Sequence, residues 1–369
     1  MAARPATRRA PTEDRSASPR VRDLRPQGTG PAIEWDVRTA YDFVFSLSND
    51  AGSTDDMLAA DRVWLTAARD RLRERFGESL DLYGNELCTV LAGLSVDRPE
   101  VTDAASFVRV LTSVDDETIL RTIVGDDLRD PEVRATAEAA IAGDEAAIVT
   151  MSARAAAHHD KAFEGWVASF YREPSTVIEP AKEVLTAWLE SFREIEPRIA
   201  AMIRRDYDAR TDDRADLPPL ELIERTTGGI RWLFEPGVKR VILAPSYFSR
   251  PYNFLLGGGE WRLFGYPIAD SALDVTDPLA PPAAVIRLHR ALGDETRLRI
   301  LRLLRDRDLY LTEIAQELEL SKPTIKHHLA LLRAAGLVTI TDAGTVIYYS
   351  LRPTRLDDAS DEIKRFLLG

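Results

Sequence analysis

Between residues 321 and 327 the chain gathers Ser321, Lys322, Thr324, Lys326 and His327, with Thr312 a short distance upstream. Two ammonium groups, two hydroxyls and an imidazole make up a set of donors and cations. They suit an acceptor-rich polyanion: ammonium groups neutralise phosphate, while hydroxyl and imidazole groups exchange hydrogen bonds with base edges. For that chemistry the groups must share one exposed side of a rod narrow enough to enter a DNA major groove.

The flanking sequence supplies such a rod. Thr312 precedes Glu313-Ile314-Ala315-Gln316-Glu317-Leu318 and is placed to cap a helix whose apolar face is Ile314, Ala315 and Leu318. Glu319-Leu320 ends that helix. Ser321 is a second cap, and Pro323 falls in the first turn, where a missing N–H does no harm. Ile325, Leu329 and Leu332 then recur at i, i+4 and i+7 as one buried stripe, leaving Lys322, Thr324, Lys326 and His327 on other sides. His328, nearer the stripe than His327, reads as packed. Gly336 stops the helix. Two helices joined by so short a turn form a helix-turn-helix, whose second helix presents its N-terminal residues to bases and its first N–H groups to phosphate. Leu337 to Thr341 and Val346 to Leu351 are β-rich runs joined by Asp342-Ala343-Gly344, so a hairpin follows and the unit is a winged helix.

Residues 292–351, about a fifth of the chain, resemble an ArsR-type (arsenic-repressor-like) winged helix. The likeness rests on Leu292-Gly293-Asp294-Glu295-Thr296-Arg297-Leu298-Arg299-Ile300-Leu301, on Ser321-Lys322-Pro323-Thr324-Ile325-Lys326-His327-His328-Leu329, and on Leu332-Arg333-Ala334-Ala335-Gly336-Leu337-Val338 before the wing. The resemblance implies a homodimeric transcription regulator that represses from double-stranded DNA and releases it on a signal. It assigns DNA contact to Ser321, Lys322, Thr324, Lys326 and His327. It also implies that a C-terminal helix from Asp357 to Leu368 pairs with the helix 284–291 across a dimer. The chain departs from the metal-sensing members. Glu313-Ile314-Ala315-Gln316-Glu317-Leu318 replaces their Cys-x-Cys, and Asp358 to Lys364 holds no His, so neither metal site is expected. The wing tip, Thr341-Asp342-Ala343-Gly344-Thr345, lacks Arg and Lys, and weak wing contact follows.

The net charge of −12 opposes nucleic-acid binding until it is divided along the chain. Residues 285–356 hold 12 Lys/Arg against 8 Asp/Glu, a balance of +4, and the remainder carries −16. An acidic bulk joined to a basic reading module restrains non-specific affinity. No apolar run approaches the ~20 residues a membrane span needs, and the first residues carry no apolar signal core. The single Cys88 excludes an internal disulfide and a cysteine zinc cluster, and its apolar surroundings suggest a structural thiol. A cytoplasmic location fits these features.

The rest divides as follows. Residues 1–31, with seven Arg and three acids, read as a disordered tail. Residues 32–210 read as a helical domain that dimerises or senses. Its amphipathic segments run from Met57 to Phe76, Pro131 to Ile141, Glu145 to Tyr171 and Pro180 to Tyr207, with a bend at Pro197; Ile33 to Leu47 opens as strand or helix. After the polar break at 211–219 the period shifts. Runs at 229–234, 238–244 and 261–266 then suggest a small antiparallel β region over 220–269. Residues 270–282, rich in Pro, form a linker into the winged helix at 283–369. The fold class is therefore α+β and mainly α: a helical N-terminal domain with a small antiparallel sheet, then a C-terminal winged helix-turn-helix.

No catalytic site is legible, and no cofactor or metal is implied. Leu255 to Glu260 is glycine-rich without the Lys-Ser/Thr of a phosphate-binding loop, and no Gly-x-Ser-x-Gly elbow occurs. The adjacent His158 and His159 diverge by about 100° on a helix, so they do not share a metal. A small-molecule effector would be sought near Trp232, Tyr247, Arg250 and Tyr252, where aromatic and hydroxyl groups meet a guanidinium. The competing readings are an enzyme, or a protein-interaction scaffold, with an appended regulatory winged helix. Lys322 and Lys326 speak against the scaffold.

Overall fold

The computed structural model describes residues 31–48, 56–77, 80, 87–156, 161–233, 235, 237–274, 279–342 and 346–368. In the N-terminal block these are β1 (Ala32–Trp35), α1 (Thr39–Phe45), α2 (Ala59–Phe76), α3 (Cys88–Leu91), α4 (Ala104–Ser113), α5 (Asp116–Ile123), α6 (Gly125–Arg129), α7 (Arg134–Ile141), α8 (Glu145–Ala155), α9 (Lys161–Arg172), α10 (Ser175–Phe192), α11 (Glu196–Ala209), α12 (Thr211–Asp216), α13 (Pro219–Thr226), β2 (Ile230–Arg231), β3 (Arg240–Ser246), β4 (Phe254–Gly258) and β5 (Trp261–Pro267). The winged helix comprises α14 (Ala283–Leu292), α15 (Glu295–Leu303), β6 (Leu309–Tyr310), α16 (Leu311–Leu318), α17 (Lys322–Ala334), β7 (Val338–Asp342), β8 (Ile347–Leu351) and α18 (Pro353–Leu368). The chain is mainly helical α+β, as its sequence indicates. The tail at 1–30, the pair His158 and His159, the wing tip at 343–345 and the Cys88 side chain lie outside the described residues.

The opening segment, ambiguous in sequence, is a strand followed by a helix. Every residue of α1 is buried, so Thr39-Ala40-Tyr41-Asp42-Phe43-Val44-Phe45 shows no polar face: a helix covered on all sides has no need of one. The segment expected as one bent helix from Pro180 to Tyr207 is two, α10 and α11. Pro197 sits in the first turn of α11, where it starts a helix at no hydrogen-bond cost. The stretch 211–216, read as a polar break, forms the short α12 with no buried side chain.

The sheet of the N-terminal block corrects the antiparallel expectation. Its order is β1-β3-β5-β4, with β1, β3 and β5 parallel and only the β4–β5 hairpin antiparallel. The cause is visible in β3, where Val241 to Ser246 are all buried. A strand covered on both faces reads as a continuous apolar run, which is the habit of parallel strands. Ile242 and Ala244 enter the helical core, while Val241 and Leu243 enter a second core with Leu222, Ile223, Trp232, Phe264 and Tyr266. The close packing needs Gly265, because a Cβ there would stand 2.6 Å from the Phe45 ring.

The run at 229–234 corrects a second expectation. Only Ile230–Arg231 is a strand, and it belongs to the other sheet, ordered β2-β7-β8-β6. It pairs parallel to the wing strand β7, Ile230 opposite Ile340 and Arg231 opposite Thr341. Gly229 makes this possible: its φ of 127° excludes ordinary side chains, and its carbonyl accepts the Ile340 N–H at 2.8 Å. An edge strand that would otherwise offer unpaired N–H and C=O groups is thus covered by the chain itself. Ile340 and Tyr349 complete the second core, so both blocks share it.

The segment expected as a linker is pinned at its start. Asp270 takes Arg250 as an ion-pair partner and accepts the Ala284 N–H at 2.7 Å at the head of α14, while Arg205 Nη2 donates to the Ala272 carbonyl at 2.8 Å.

Candidate nucleic-acid interface

Helix α17 is positioned by its neighbours and by its own start. Ser321 is extended and its Oγ accepts the Thr324 N–H, which ends one orphan donor of the first turn. Ser321 and Thr324 also share a hydroxyl contact of 2.7 Å. Ile325, Leu329 and Leu332 are buried in an apolar core with Ile300, Ile314 and Leu337. Opposite this stripe Ser321, Lys322, Thr324, Lys326 and His327 are all exposed and form one continuous polar end. Among the described residues no ion pair engages Lys322 or Lys326.

The turn before α17 has a left-handed residue. Glu319 has φ 56° and ψ 39°, and Leu320 N–H returns to the Ala315 carbonyl at 3.0 Å. Left-handed backbone of this kind closes a helix C-terminus. Thr312 does not cap α16. The helix begins one residue earlier, at Leu311, and Glu313 Oε2 accepts the Tyr310 N–H at 3.1 Å, so a carboxylate reaching back stabilises the start instead. Thr312 is half-buried in the first turn.

His328 is mostly buried, with Nδ1 3.8 Å from Asp294 Oδ1, in agreement with its reading as a packed residue. Asp294 caps α15 through the Arg297 N–H at 2.9 Å, a bond that holds its carboxyl below the usual range. Arg297 is occupied internally: its guanidinium donates to the carbonyls of Ala291 and Arg290 at the end of α14. Arg299 and Arg302 remain exposed on α15.

The four aromatic and cationic residues singled out for an effector separate. Tyr247 is fully buried, donating to Asp61 Oδ2 at 2.6 Å and accepting the Leu58 N–H at 2.9 Å. Trp232 is buried and donates to Glu235 Oε1 at 2.9 Å. Arg250 is spent on the Ile268 carbonyl and Asp270, although it borders a cleft between the two blocks. Tyr252 lies under the Arg333 guanidinium, 5.8 Å from its centroid. Sequence reading missed Arg333 and Arg352 in that cleft. No local pattern could reveal them, because the opposing wall is built by residues far away in the chain.

Burial raises the pKa of the Asp42 carboxyl to about 6. It accepts Ser246 Oγ at 2.6 Å and the N–H groups of Phe248 at 3.0 Å and Tyr247 at 3.2 Å, which makes it the clasp of a loop. Among the described residues no three His, Cys, Asp or Glu side chains converge as metal ligands, and no helix is long and apolar enough to cross a membrane.

Comparison with known proteins places the polar end of α17 in context. The model of the bacterial regulatory protein arsR family matches residues 294–339. The transcriptional repressor SdpR of Bacillus subtilis (strain 168) is 38% identical over 80 residues, which is 22% of this chain and 89% of that protein. The HTH-type transcriptional regulator CmtR of Mycobacterium bovis is 38% identical over 87 residues, 24% of this chain and 74% of that protein. Among solved structures, an ArsR-like transcriptional regulator from Rhodococcus sp. RHA1 is 32% identical and covers 22% of this chain and 78% of its own, with a TM-score of 0.21. The block before α14 lies outside the family match. A free polar helix end on a winged helix and this kinship agree: the chain is a DNA-binding regulator that belongs to the arsR family of bacterial regulatory proteins.

Proposed function

We propose that the protein is a homodimeric repressor that reads an inverted-repeat operator through the N-terminal end of α17, with the N-terminal block sensing a small molecule, contributing to the dimer, or both. The observation that carries the reading is the exposure of Ser321, Lys322, Thr324, Lys326 and His327 together on one capped helix end. Lys322 and Lys326 would neutralise phosphates, and Thr324 and His327 would meet base edges. A two-fold dimer reads half-sites about one helical turn apart, hence the inverted repeat. Repression follows the printed role of SdpR. The apolar residues Leu367 and Leu368 at the end of α18 are exposed, as a helix that pairs with a second copy would leave them in one protomer.

The test is selection of random duplex DNA on the full chain, then titration of a selected duplex at several salt concentrations. Lys322→Ala with Lys326→Ala is expected to weaken binding at least ~10-fold and to lower the salt slope by roughly 2 per protomer. An unchanged slope would remove α17 from the interface.

A further inference from the structure

The two blocks enclose a cleft of about 1040 Å³. Its floor includes Pro251, beyond the end of β3, and Pro267 and Ile268, at the end of β5, so it opens at the carboxyl ends of parallel strands. Open parallel sheets bind ligands at that edge. Its other wall includes the start of α14 and the last turn of α17, and Met57, Ile268, Ile286 and Phe366 give it apolar surface.

Its charge is lopsided. Eight arginines border it against three carboxylates, Asp56, Asp270 and Glu362. Each of those carboxylates is already committed, to Arg287, Arg250 and Arg355 in turn. Of the others, Arg333, Arg352 and Arg365 have no carboxylate at ion-pair distance among the described residues. Two of them are half-buried without a carboxylate at ion-pair distance. Arg333 meets the Tyr252 ring, and Arg352 Nη1 donates to the Gly228 carbonyl at 3.0 Å. Burial depresses the basicity of both: no carboxylate acts on Arg333, and Glu224 and Asp358, which act on Arg352 from beyond ion-pair distance, do not offset its lost water. Such a pair is costly unless a counter-charge arrives.

We propose that this cleft binds an organic anion, its carboxylate or phosphate held by Arg333 and Arg352 and its apolar part lying against Met57, Ile268, Ile286 and Phe366. The DNA backbone does not serve as that anion. Lys322 and Arg333 stand at opposite ends of α17, roughly 16 Å apart along its axis, and the cleft is walled by the protein's own chain on both sides. Because Arg333 belongs to α17 itself, an occupant that draws the two blocks together moves the reading helix relative to the N-terminal block. Coupling of that kind is reciprocal: the anion changes DNA affinity by the factor by which DNA changes anion affinity. This second half rests on the regulator reading, whereas the anion site does not.

Calorimetry of the full chain without DNA tests the site. The probes are octanoate, octyl phosphate, octylammonium and octanol, each below its aggregation limit, with acetate and inorganic phosphate as head groups alone. The two octyl anions are expected to bind at least 10-fold more tightly than the amine or the alcohol, and their relative affinity identifies the preferred head. Arg333→Met and Arg352→Met should each weaken the preferred anion at least 10-fold. Lys364→Met, an exposed cation outside the cleft, should leave it unchanged. Arg333 makes no hydrogen bond among the described residues, so its variant should melt like the parent chain and keep the test clean even if Arg352→Met unfolds. Equal binding of all four octyl probes, or full anion affinity in Arg333→Met, overturns the site. With a selected duplex present, the anion should shift DNA affinity at least ~5-fold; no shift, with binding intact, overturns the coupling. Failure to select any duplex would count against the regulator reading alone, since calorimetry decides the site.

Discussion

The N-terminal block and the winged helix are held together by different forces. The block buries four carboxylates completely or nearly so, Asp42, Asp56, Asp61 and Asp206; Asp56 pairs with Arg287 of the winged helix, and the other three tie segments of the block itself. Asp42 gathers Ser246, Tyr247 and Phe248, Asp61 takes the Tyr247 hydroxyl and pairs with Arg198, and Asp206 accepts from Tyr266, Arg210 and the Ala269 N–H. Among its described residues the winged helix buries no carboxylate, and its core is Ile, Leu, Val and Ala. Apolar periodicity therefore shapes the module that meets DNA, while point-to-point polar bonds shape the strand ends that border the cleft. A polar bond fixes direction as well as distance, and a pocket floor needs fixed direction.

The sharpest way to break this contrast is to remove one clasp. Asp42→Ala leaves a hydroxyl and two N–H groups buried without acceptors, and the expected cost is about 3–5 kcal/mol. Urea unfolding followed by tryptophan fluorescence would read it, since the six Trp of the chain all precede residue 262. A midpoint that does not move would mean that the loop holds its shape without Asp42.

In the winged helix the same size of effect should come from a hydrocarbon. Leu329 is 1% exposed, and Leu329→Ala is expected to cost about 3 kcal/mol. On the opposite face His327→Ala should lie within about 0.5 kcal/mol of the parent chain while weakening DNA binding. Equal losses from the two changes would show that the exposed face of α17 carries packing as well as recognition.

These forces also explain which parts were legible in sequence. The i, i+4, i+7 stripe of Ile325, Leu329 and Leu332, the Ser321 cap and Pro323 encode α17 within a few turns of chain, so the helix that carries the proposed interface was readable. Asp42 is a solitary acid in an apolar run, and nothing near it points to partners two hundred residues away. The direction of the sheet was readable in principle from the unbroken burial of β3, but short hairpin spacing suggested the wrong pairing. Ile230–Arg231 carried no signal at all for joining a sheet more than a hundred residues on.

Asp42 should also answer to pH in the opposite sense to the capping and ion-paired carboxylates of the winged helix. Asp42 titrates at about 6 in the folded protein against 3.8 for its ordinary value, so the fold binds its proton more tightly than the open chain does. That contribution is present in full below pH 3.8 and is lost as pH rises through 6. In the winged helix Asp294 and Asp306 are shifted downward, by the Arg297 N–H and by Arg305, so their contribution is present above the ordinary carboxylate range and is lost as pH falls below it. Asp42 should therefore contribute about 2–3 kcal/mol more at pH 4 than at pH 7, against the opposite contributions of Asp103, Asp115 and Glu145 in the same block, and Asp42→Asn should remove that gain. A variant that keeps the slope would assign it to another group.

The smallest effect concerns the junction of the reading helix. Glu319 occupies left-handed backbone at φ 56°, a conformation in which a side chain crowds the neighbouring carbonyl. Glycine adopts it without that penalty but surrenders more freedom on folding. The two terms nearly cancel, and Glu319→Gly should stabilise the winged helix by only about 0.5 kcal/mol. The charge adds a second reason to look there, because Glu319 is exposed two residues before Ser321, near the proposed phosphate contacts. Removing one like charge from that approach should raise DNA affinity about 2–3-fold at low salt and by less as salt screens the interaction. A gain in affinity that survives high salt would place its origin in the geometry of the turn, since screening acts on charge and leaves backbone strain untouched.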